Sequence, residues 1–246
     1  MDLTSRVVLL TGGRRMGVTI ATACAMRGAD VAVAYRKSKD DAEAVRDAVA
    51  AHGRRAELVQ ADVSDPASAA AMIAAVDRAF GRLDVLVNMA SIYESVPLDE
   101  LTSDHWHRQL SVDLHGTFHT SLAAIPLLRR SGGGRIINFS DWLVASERPR
   151  YTGYVPYYVA KAGVKALTEV LALELAPDRI LVNAIAPGPI LAPPGTTDDE
   201  SAAVARATPL GQWGGPGEIA KAVLALIDAD FITGETIRVD GGRHIA

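Results

Sequence analysis

Cysteine is almost missing from this chain of 246 residues. Cys24 is its one thiol, so no internal disulfide can form, and a reducing compartment is the expectation. Positive charge is not in excess either. The formal net charge is -4, and the local pairs Arg14-Arg15 and Arg129-Arg130 do not make the basic stripe that a nucleic-acid surface needs. No apolar run reaches the ~18 residues required to cross a bilayer, and strand pattern begins at Val7 with no signal-peptide pattern before it. The expectation is a cytoplasmic protein with neither nucleic acid nor membrane as partner. Pro/Ser-rich linkers and blocks of like charge are also missing, so the chain reads as one domain. What is there is an apolar half, 49% of the residues, enough for a sizeable core.

Short β-rich apolar runs alternate with longer helical patterns. Val7–Leu10, Val31–Tyr35, Glu57–Gln60, Val85–Asn88, Arg135–Phe139, Ile180–Ala184 and Thr236–Val239 are predicted strands. Asp41–His52, Ala67–Phe80, Thr102–Leu128, Tyr157–Leu175 and Pro216–Asp228 have the length and Ala/Leu/Glu content of helices, and an Ala-rich helix follows Gly17. This alternation predicts an α/β fold: a single-domain, Rossmann-type, doubly wound parallel sheet of seven strands with helices on both faces. Ligands of such sheets bind at the C-terminal strand ends, near the reversal of strand order. The candidate residues stand there: the turn after strand one, Arg36 after strand two, Asp62 after strand three, Asn88 after strand four, Asp141 after strand five and Pro187-Gly188 after strand six.

The first of these is Thr11-Gly12-Gly13-Arg14-Arg15-Met16-Gly17, between a buried strand and a helix. Glycines there let the backbone approach a pyrophosphate, and the helix N-terminus offers unpaired N–H groups to it. Glycine also closes ordinary strand-helix turns, so the turn alone does not decide. The residues after strand two select the cofactor. An acid there would bind the 2′-hydroxyl of NAD, whereas arginine accommodates the 2′-phosphate of NADP. The strand ends Tyr35-Arg36-Lys37-Ser38, which predicts NADPH, with Arg36 and one of Arg14 or Arg15 on the phosphate and Ser38 as an extra donor.

Taken together, the motifs resemble those of the short-chain dehydrogenases/reductases over essentially the whole chain. The turn at Thr11–Gly17 matches loosely, one residue short. Asp62-Val63, Asn88-Met89-Ala90-Ser91, Tyr157–Lys161 as Tyr-x-x-x-Lys, Pro187-Gly188 and Asp240–Gly242 match in order. The resemblance implies a cofactor site from Gly12, Arg14, Arg15, Met16, Gly17, Tyr35, Arg36, Ser38, Asp62, Val63, Asn88, Ala90, Lys161, Pro187 and Gly188. It also implies a substrate lid over about residues 188–208, a small-molecule substrate, and a homotetramer built through the two longest helices. Two positions depart. The family's catalytic serine corresponds to Asp141, with Ser140 one residue early, and the fourth catalytic position, an asparagine, is Asp113. Aspartate at position 141, Arg15 in the turn and the ending Asp240-Gly241-Gly242-Arg243-His244-Ile245 are similar to pteridine and dihydromonapterin reductases.

Hydride delivered to C=N or C=O leaves negative charge on the heteroatom, so a proton donor must stand beside it. Tyr157 is the candidate, with Lys161 one helical turn on to favour its phenolate. Asp141 would join the relay or hold the amino-pyrimidine edge of a pterin, and Asp113 would hold a water near Lys161. Ser91, Tyr93, Ser140 and Trp142 are the candidate substrate contacts, the two aromatics by stacking. If the strand-end register slips by one, Ser140 is an ordinary catalytic serine and the substrate a carbonyl such as a 3-oxoacyl thioester. A non-catalytic NADPH-binding protein is the third reading. His115 and His119 have metal-pair spacing without the His-Glu-x-x-His pattern, so no metal is predicted. Asp198-Asp199-Glu200 reads as a solvated face.

Overall fold

The computed structural model describes residues 1–12 and 16–246. All seven predicted strands are present: β1 Val7–Thr11, β2 Asp30–Tyr35, β3 Ala56–Gln60, β4 Val85–Asn88, β5 Gly134–Phe139, β6 Ile180–Pro187 and β7 Thr236–Val239. They form one parallel sheet in the order β3-β2-β1-β4-β5-β6-β7. Strand order reverses between β1 and β4, which opens a crevice at their C-terminal ends. Thr11 lies opposite Asn88 and Asn88 opposite Asn138, so three strands end level beside that crevice. β6 runs past its predicted end because Ala184–Pro187 pair with the whole of β7.

Both faces of the sheet are covered, because side chains alternate along each strand. Val8 and Leu10 of β1 enter one core with Val31, Val33, Val85 and Val87. Helices α1 Gly17–Met26, α2 Lys39–Ala50 and, late in the chain, Pro216–Asp228 pack on that side. Val7 and Leu9 enter the other core, under α3 Pro66–Phe80 and two later helices. Local chemistry sets the helix ends. In α3, Asp65 accepts from the N–H groups of Ala67 and Ser68, Pro66 opens the first turn, and Gly81 ends the helix at φ 72. Cys24 is buried on α1, and burial pushes its thiol up to about 12, so it is a small packing group.

The predicted helix Thr102–Leu128 is not continuous. It consists of α4 Ser103–Leu110, a wide π turn Ser111–His115, and α5 Gly116–Arg130. A π turn inserts one residue into the helical repeat, and such insertions concentrate at functional sites. Here it carries Asp113 into the interior. Gly116 follows because a Cβ there would stand 2.7 Å from Val63 Cγ2. His115 and His119 lie on this stretch with ring centroids 6.3 Å apart. The ring of His119 turns to the Val63 carbonyl.

After β5 come α6 Trp142–Ala145 and α7 Val155–Leu175; after β6 come α8 Asp198–Arg206 and α9 Pro216–Asp228. The three acids at 198–200 form the exposed first turn of α8, where the helix dipole favours negative charge. Thr197 and Glu200 cap that turn reciprocally. Large apolar side chains remain exposed on α5 at Phe118 and Leu122 and on α7 at Val170 and Leu173. Among the described residues no helix is long and apolar enough to cross a membrane.

Candidate active site

Strand alternation at the end of β5 decides between Ser140 and Asp141. The N–H of Ser140 still donates to the Ile185 carbonyl of β6, so Ser140 continues the strand and its side chain points inward. It is 2% exposed, and its hydroxyl donates to the Lys161 carbonyl at 3.1 Å. The expectation that Ser140 contacts substrate is corrected by that bond: its hydroxyl is turned into α7. Asp141 stands on the opposite side and caps α6, its Oδ1 accepting from Leu143 N at 2.8 Å. The Tyr157 hydroxyl donates to Asp141 Oδ2 at 2.9 Å.

Lys161 is one turn along α7 from Tyr157, and its Nζ lies 5.6 Å from the centre of that ring. The ammonium donates to the Phe139 carbonyl at 3.0 Å and pairs with Asp113 Oδ2 at 3.1 Å. Asp113 is fully buried, at 0% exposure, and Lys161 is nearly so at 4%. Expected to hold a water near Lys161, the Asp113 carboxylate contacts the ammonium directly. It also accepts from Ser91 Oγ at 2.5 Å and from Ile92 N at 3.0 Å. Ser91, expected on the substrate, thus spends its hydroxyl on Asp113, and Gln109 fastens the same stretch through the Ile92 carbonyl.

These contacts fix the charge state. Burial holds the Asp141 carboxyl above the usual carboxylate range, against the opposing pull of the Leu143 N–H, the Tyr157 hydrogen bond and Lys161. Burial also raises the Tyr157 phenol well above its ordinary value, and the charges of Asp141 and then Asp113 push in the same direction. The sequence led to the opposite expectation, a phenol drawn toward phenolate by Lys161. Burial first, and then the two carboxylates, reverse it and favour the protonated phenol.

Across the crevice, Gly12 has φ +77 and presses on Ala90, where an added Cβ would lie 3.1 Å from Ala90 Cα. The Thr11 hydroxyl accepts from Met89 N at 3.1 Å and Ala90 N at 3.4 Å. That brace between β1 and β4 went unrecognised in the sequence; the threonine opening the glycine turn was its signal. Met16 precedes α1 without a side-chain cap, leaving first-turn N–H groups to an anion. Gly17 begins that helix, buried. Arg14 and Arg15 lie outside the described residues. Tyr35 ends β2, and Arg36 beyond it pairs with Asp62 at 3.5 Å, both side chains partly exposed. Ser38 precedes α2 without capping it through its side chain. Asp62 is held low first by the Ser64 hydroxyl, with Arg36 a smaller contributor. Val63 is buried beside Gly116. The Asn88 side chain is turned inward, 3% exposed and engaged with Ser121, Asn138 and Thr120, so it ties strand ends together. Pro187 ends β6, and Gly188 packs so closely on Asp240 that a Cβ would meet its Cβ at 2.5 Å.

A glycine turn at a switch point beside a Tyr–Lys helix is a dinucleotide oxidoreductase arrangement, and similarity to known proteins decides its family. A family profile described as enoyl-(acyl carrier protein) reductase matches residues 13–244. A short-chain dehydrogenase/reductase from Serratia marcescens superposes with a TM-score of 0.91 at 32% identity, covering 99% of this chain and 100% of that one. The chain belongs to the short-chain dehydrogenase/reductase family. It is 36% identical to the 3-oxoacyl-acyl-carrier-protein reductase of Staphylococcus aureus over 100% of both chains. A blue fluorescent protein from a metagenomic library, solved in complex with NADPH, is similar at 34% identity and a TM-score of 0.90, over 99% of each chain.

Aromatic side chains gather on the outer face of Tyr157. Tyr93 is 49% exposed, stacks on Tyr154 at 4.7 Å and meets the Tyr157 ring edge-on at 5.0 Å. Burial of its hydroxyl, then a hydrogen bond with Tyr154, raises its phenol too. An apolar crevice of about 190 Å³ beside them is lined by Leu143, Tyr151, Tyr154, Val155 and Tyr157 among others. Trp142 does not present the stacking face expected of it. It is 5% exposed, packed edge-on to Tyr151 and covered by the Arg150 and Arg243 guanidinium groups.

Proposed function

We propose that this oxidoreductase uses NADPH to reduce a ketone carbonyl, with a 3-oxoacyl thioester or a small diketone as the substrate class. The observation that carries the proposal is the 2.9 Å contact between Tyr157 Oη and Asp141 Oδ2, backed by Lys161 at the switch point of the sheet. The likeness to the staphylococcal 3-oxoacyl reductase over the full chain supports the carbonyl substrate. Arg36, partly exposed at the end of β2, supports the 2′-phosphate. The residues present fit the cofactor: Gly12 and the first turn of α1 would hold the pyrophosphate, Arg36 and Ser38 the 2′-phosphate, and Lys161 the nicotinamide ribose. The bound dihydronicotinamide supplies a hydride.

Tyr157 gives its proton to the oxygen that becomes alkoxide when the carbonyl carbon accepts that hydride. While Asp141 is ionised, it takes the only hydrogen of Tyr157. Once protonated, as its burial favours, Asp141 donates to Tyr157 Oη, and the phenolic hydrogen turns to the substrate. Asp141 then restores the phenol and is itself restored from solvent. Reduction therefore weakens as pH rises through the raised Asp141 value. A serine could not release a proton in this range.

A pteridine substrate is the second reading, favoured by Asp141 itself, a carboxyl able to pair with an amino-pyrimidine edge. NADPH consumption with a 3-oxoacyl thioester, a diketone and a dihydropterin separates the two. The expected result is carbonyl turnover at least ~10-fold above dihydropterin turnover, a difference of about 1.4 kcal/mol in barrier. Ser140→Ala should leave carbonyl turnover nearly intact. Turnover of the dihydropterin alone would sink the carbonyl reading.

A further inference from the structure

The buried ion pair behind Tyr157 has no evident need of a carboxylate. An amide at 113 would still offer an oxygen to Lys161 Nζ or to Ile92 N without adding charge. A carboxylate instead adds a negative charge to a pocket sealed from water, where charges act at close to full strength. We propose that Asp113 is a positioning residue that sets the pH range of the reaction, cancelling the Lys161 charge that would otherwise draw the proton from Tyr157. This rests on the carbonyl-reductase reading and deepens it.

The argument is geometric. Three groups surround Tyr157: Asp141, the N-cap of α6, 2.9 Å from its hydroxyl, Lys161 Nζ 5.6 Å from its ring centre, and Tyr93 edge-on with ring centres 5.0 Å apart. Tyr154, the N-cap of α7, is a further titratable neighbour, with ring centres 6.2 Å apart. Asp113, in the π turn, reaches this set only through Lys161 Nζ, 3.1 Å away. The two hydrogen bonds from Ser91 and Ile92 hold its carboxylate in place. With both carboxylates ionised, the three charges sum to -1, and a phenolate would add another; with Asp141 protonated, they sum to zero.

Both directions use the same atoms. In reduction, hydride forms the C–H bond, the C=O π pair becomes the alkoxide lone pair, and the Tyr157 O–H bond breaks to protonate it. In oxidation, phenolate must take the alcohol proton while hydride leaves to the oxidised nicotinamide. Oxidation begins from the phenolate and reduction passes to it, so one ionisation, the one Asp113 opposes, governs both.

The test compares wild type with Asp113→Asn in two measurements. The first is the near-ultraviolet phenolate absorbance of the cofactor-free protein against pH, with Tyr157→Phe subtracted. The second is the pH profile of carbonyl reduction and of alcohol oxidation. In Asp113→Asn, the Tyr157 titration and the rising limb of oxidation should both move about one pH unit lower. At neutral pH oxidation, limited by the phenolate fraction, should then rise roughly 10-fold. If the titration stays where it is and both directions fall together, Asp113 is structural only and the proposal is overturned. Should Asp113→Asn not fold, Ser91→Ala carries the same test with opposite sign. Losing that hydrogen bond concentrates charge on the carboxylate, so the titration should move upward, and an unmoved titration overturns the proposal. Absence of any carbonyl turnover would count against the carbonyl reading alone, since the absorbance titration needs no substrate.

Discussion

Replacing Tyr157 by phenylalanine is expected to lower kcat for reduction by about 10²- to 10⁴-fold, the range for losing a positioned proton donor. Cofactor affinity should change little, because the ring stays and only its hydroxyl is lost. The expectation follows from the hydrogen-bond arrangement: Tyr157 is the group through which a proton passes between Asp141 and substrate. Asp141 stands behind that hydroxyl, its Oδ2 accepting from Tyr157 at 2.9 Å. Single-turnover measurement of nicotinamide oxidation, with cofactor binding followed by fluorescence, separates the two quantities. A variant retaining more than about a tenth of wild-type kcat would show that another group delivers the proton, against the two-to-four-decade loss expected.

The second large effect is on stability. Lys161→Met removes the only cation beside Asp113 among the described residues, leaving a carboxylate at 0% exposure with hydrogen bonds from Ser91 and Ile92 but no counter-charge. Breaking a buried pair from one side costs about 3–5 kcal/mol. In a domain of this size that lowers Tm by roughly 6–20 °C. Removing the second charge as well, in Lys161→Met with Asp113→Leu, should recover much of the loss, because a well-packed apolar pair replaces a buried ion pair at little cost. Recovery stays partial because Ile92 N–H loses its acceptor. Thermal unfolding of the two single variants and the double variant gives the coupling directly. An unchanged Tm in Lys161→Met would mean that the pair contributes nothing to the fold.

The sheet was legible because most of its strands are short apolar runs buried on both faces, a pattern with few rivals once seven strands alternate with helices. Register at the end of β5 was harder to read. Ser140 and Asp141 are both polar, and only the bond from Ser140 N to the Ile185 carbonyl shows which of them still belongs to the strand. The π turn at Ser111–His115 left no mark in the apolar periodicity, because one inserted residue shifts the helical face without interrupting it. Its effect is that Asp113 meets Lys161 directly, with no water expected between them. Asn88 and Trp142 stood out for a common reason: a polar or aromatic residue beside a ligand crevice looks functional in sequence, and only its surroundings show a side chain turned inward. Gly12 and Gly188 stand where backbone or side chains come too near for a Cβ, the close approach that a glycine in a strand-end turn suggests.

Asp240 gives the far end of the chain a mechanical part to play. Its carboxylate gathers the N–H groups of Gly242 and His244 and the His244 ring, curling the last residues into a compact knot. One side of that knot abuts Gly188 and the other meets Thr208 and Leu210 through Gly241. Residues 190–208 are therefore strapped at both feet by the same C-terminal coil. Any excursion of this segment has two fixed pivots, so it cannot peel away from one end.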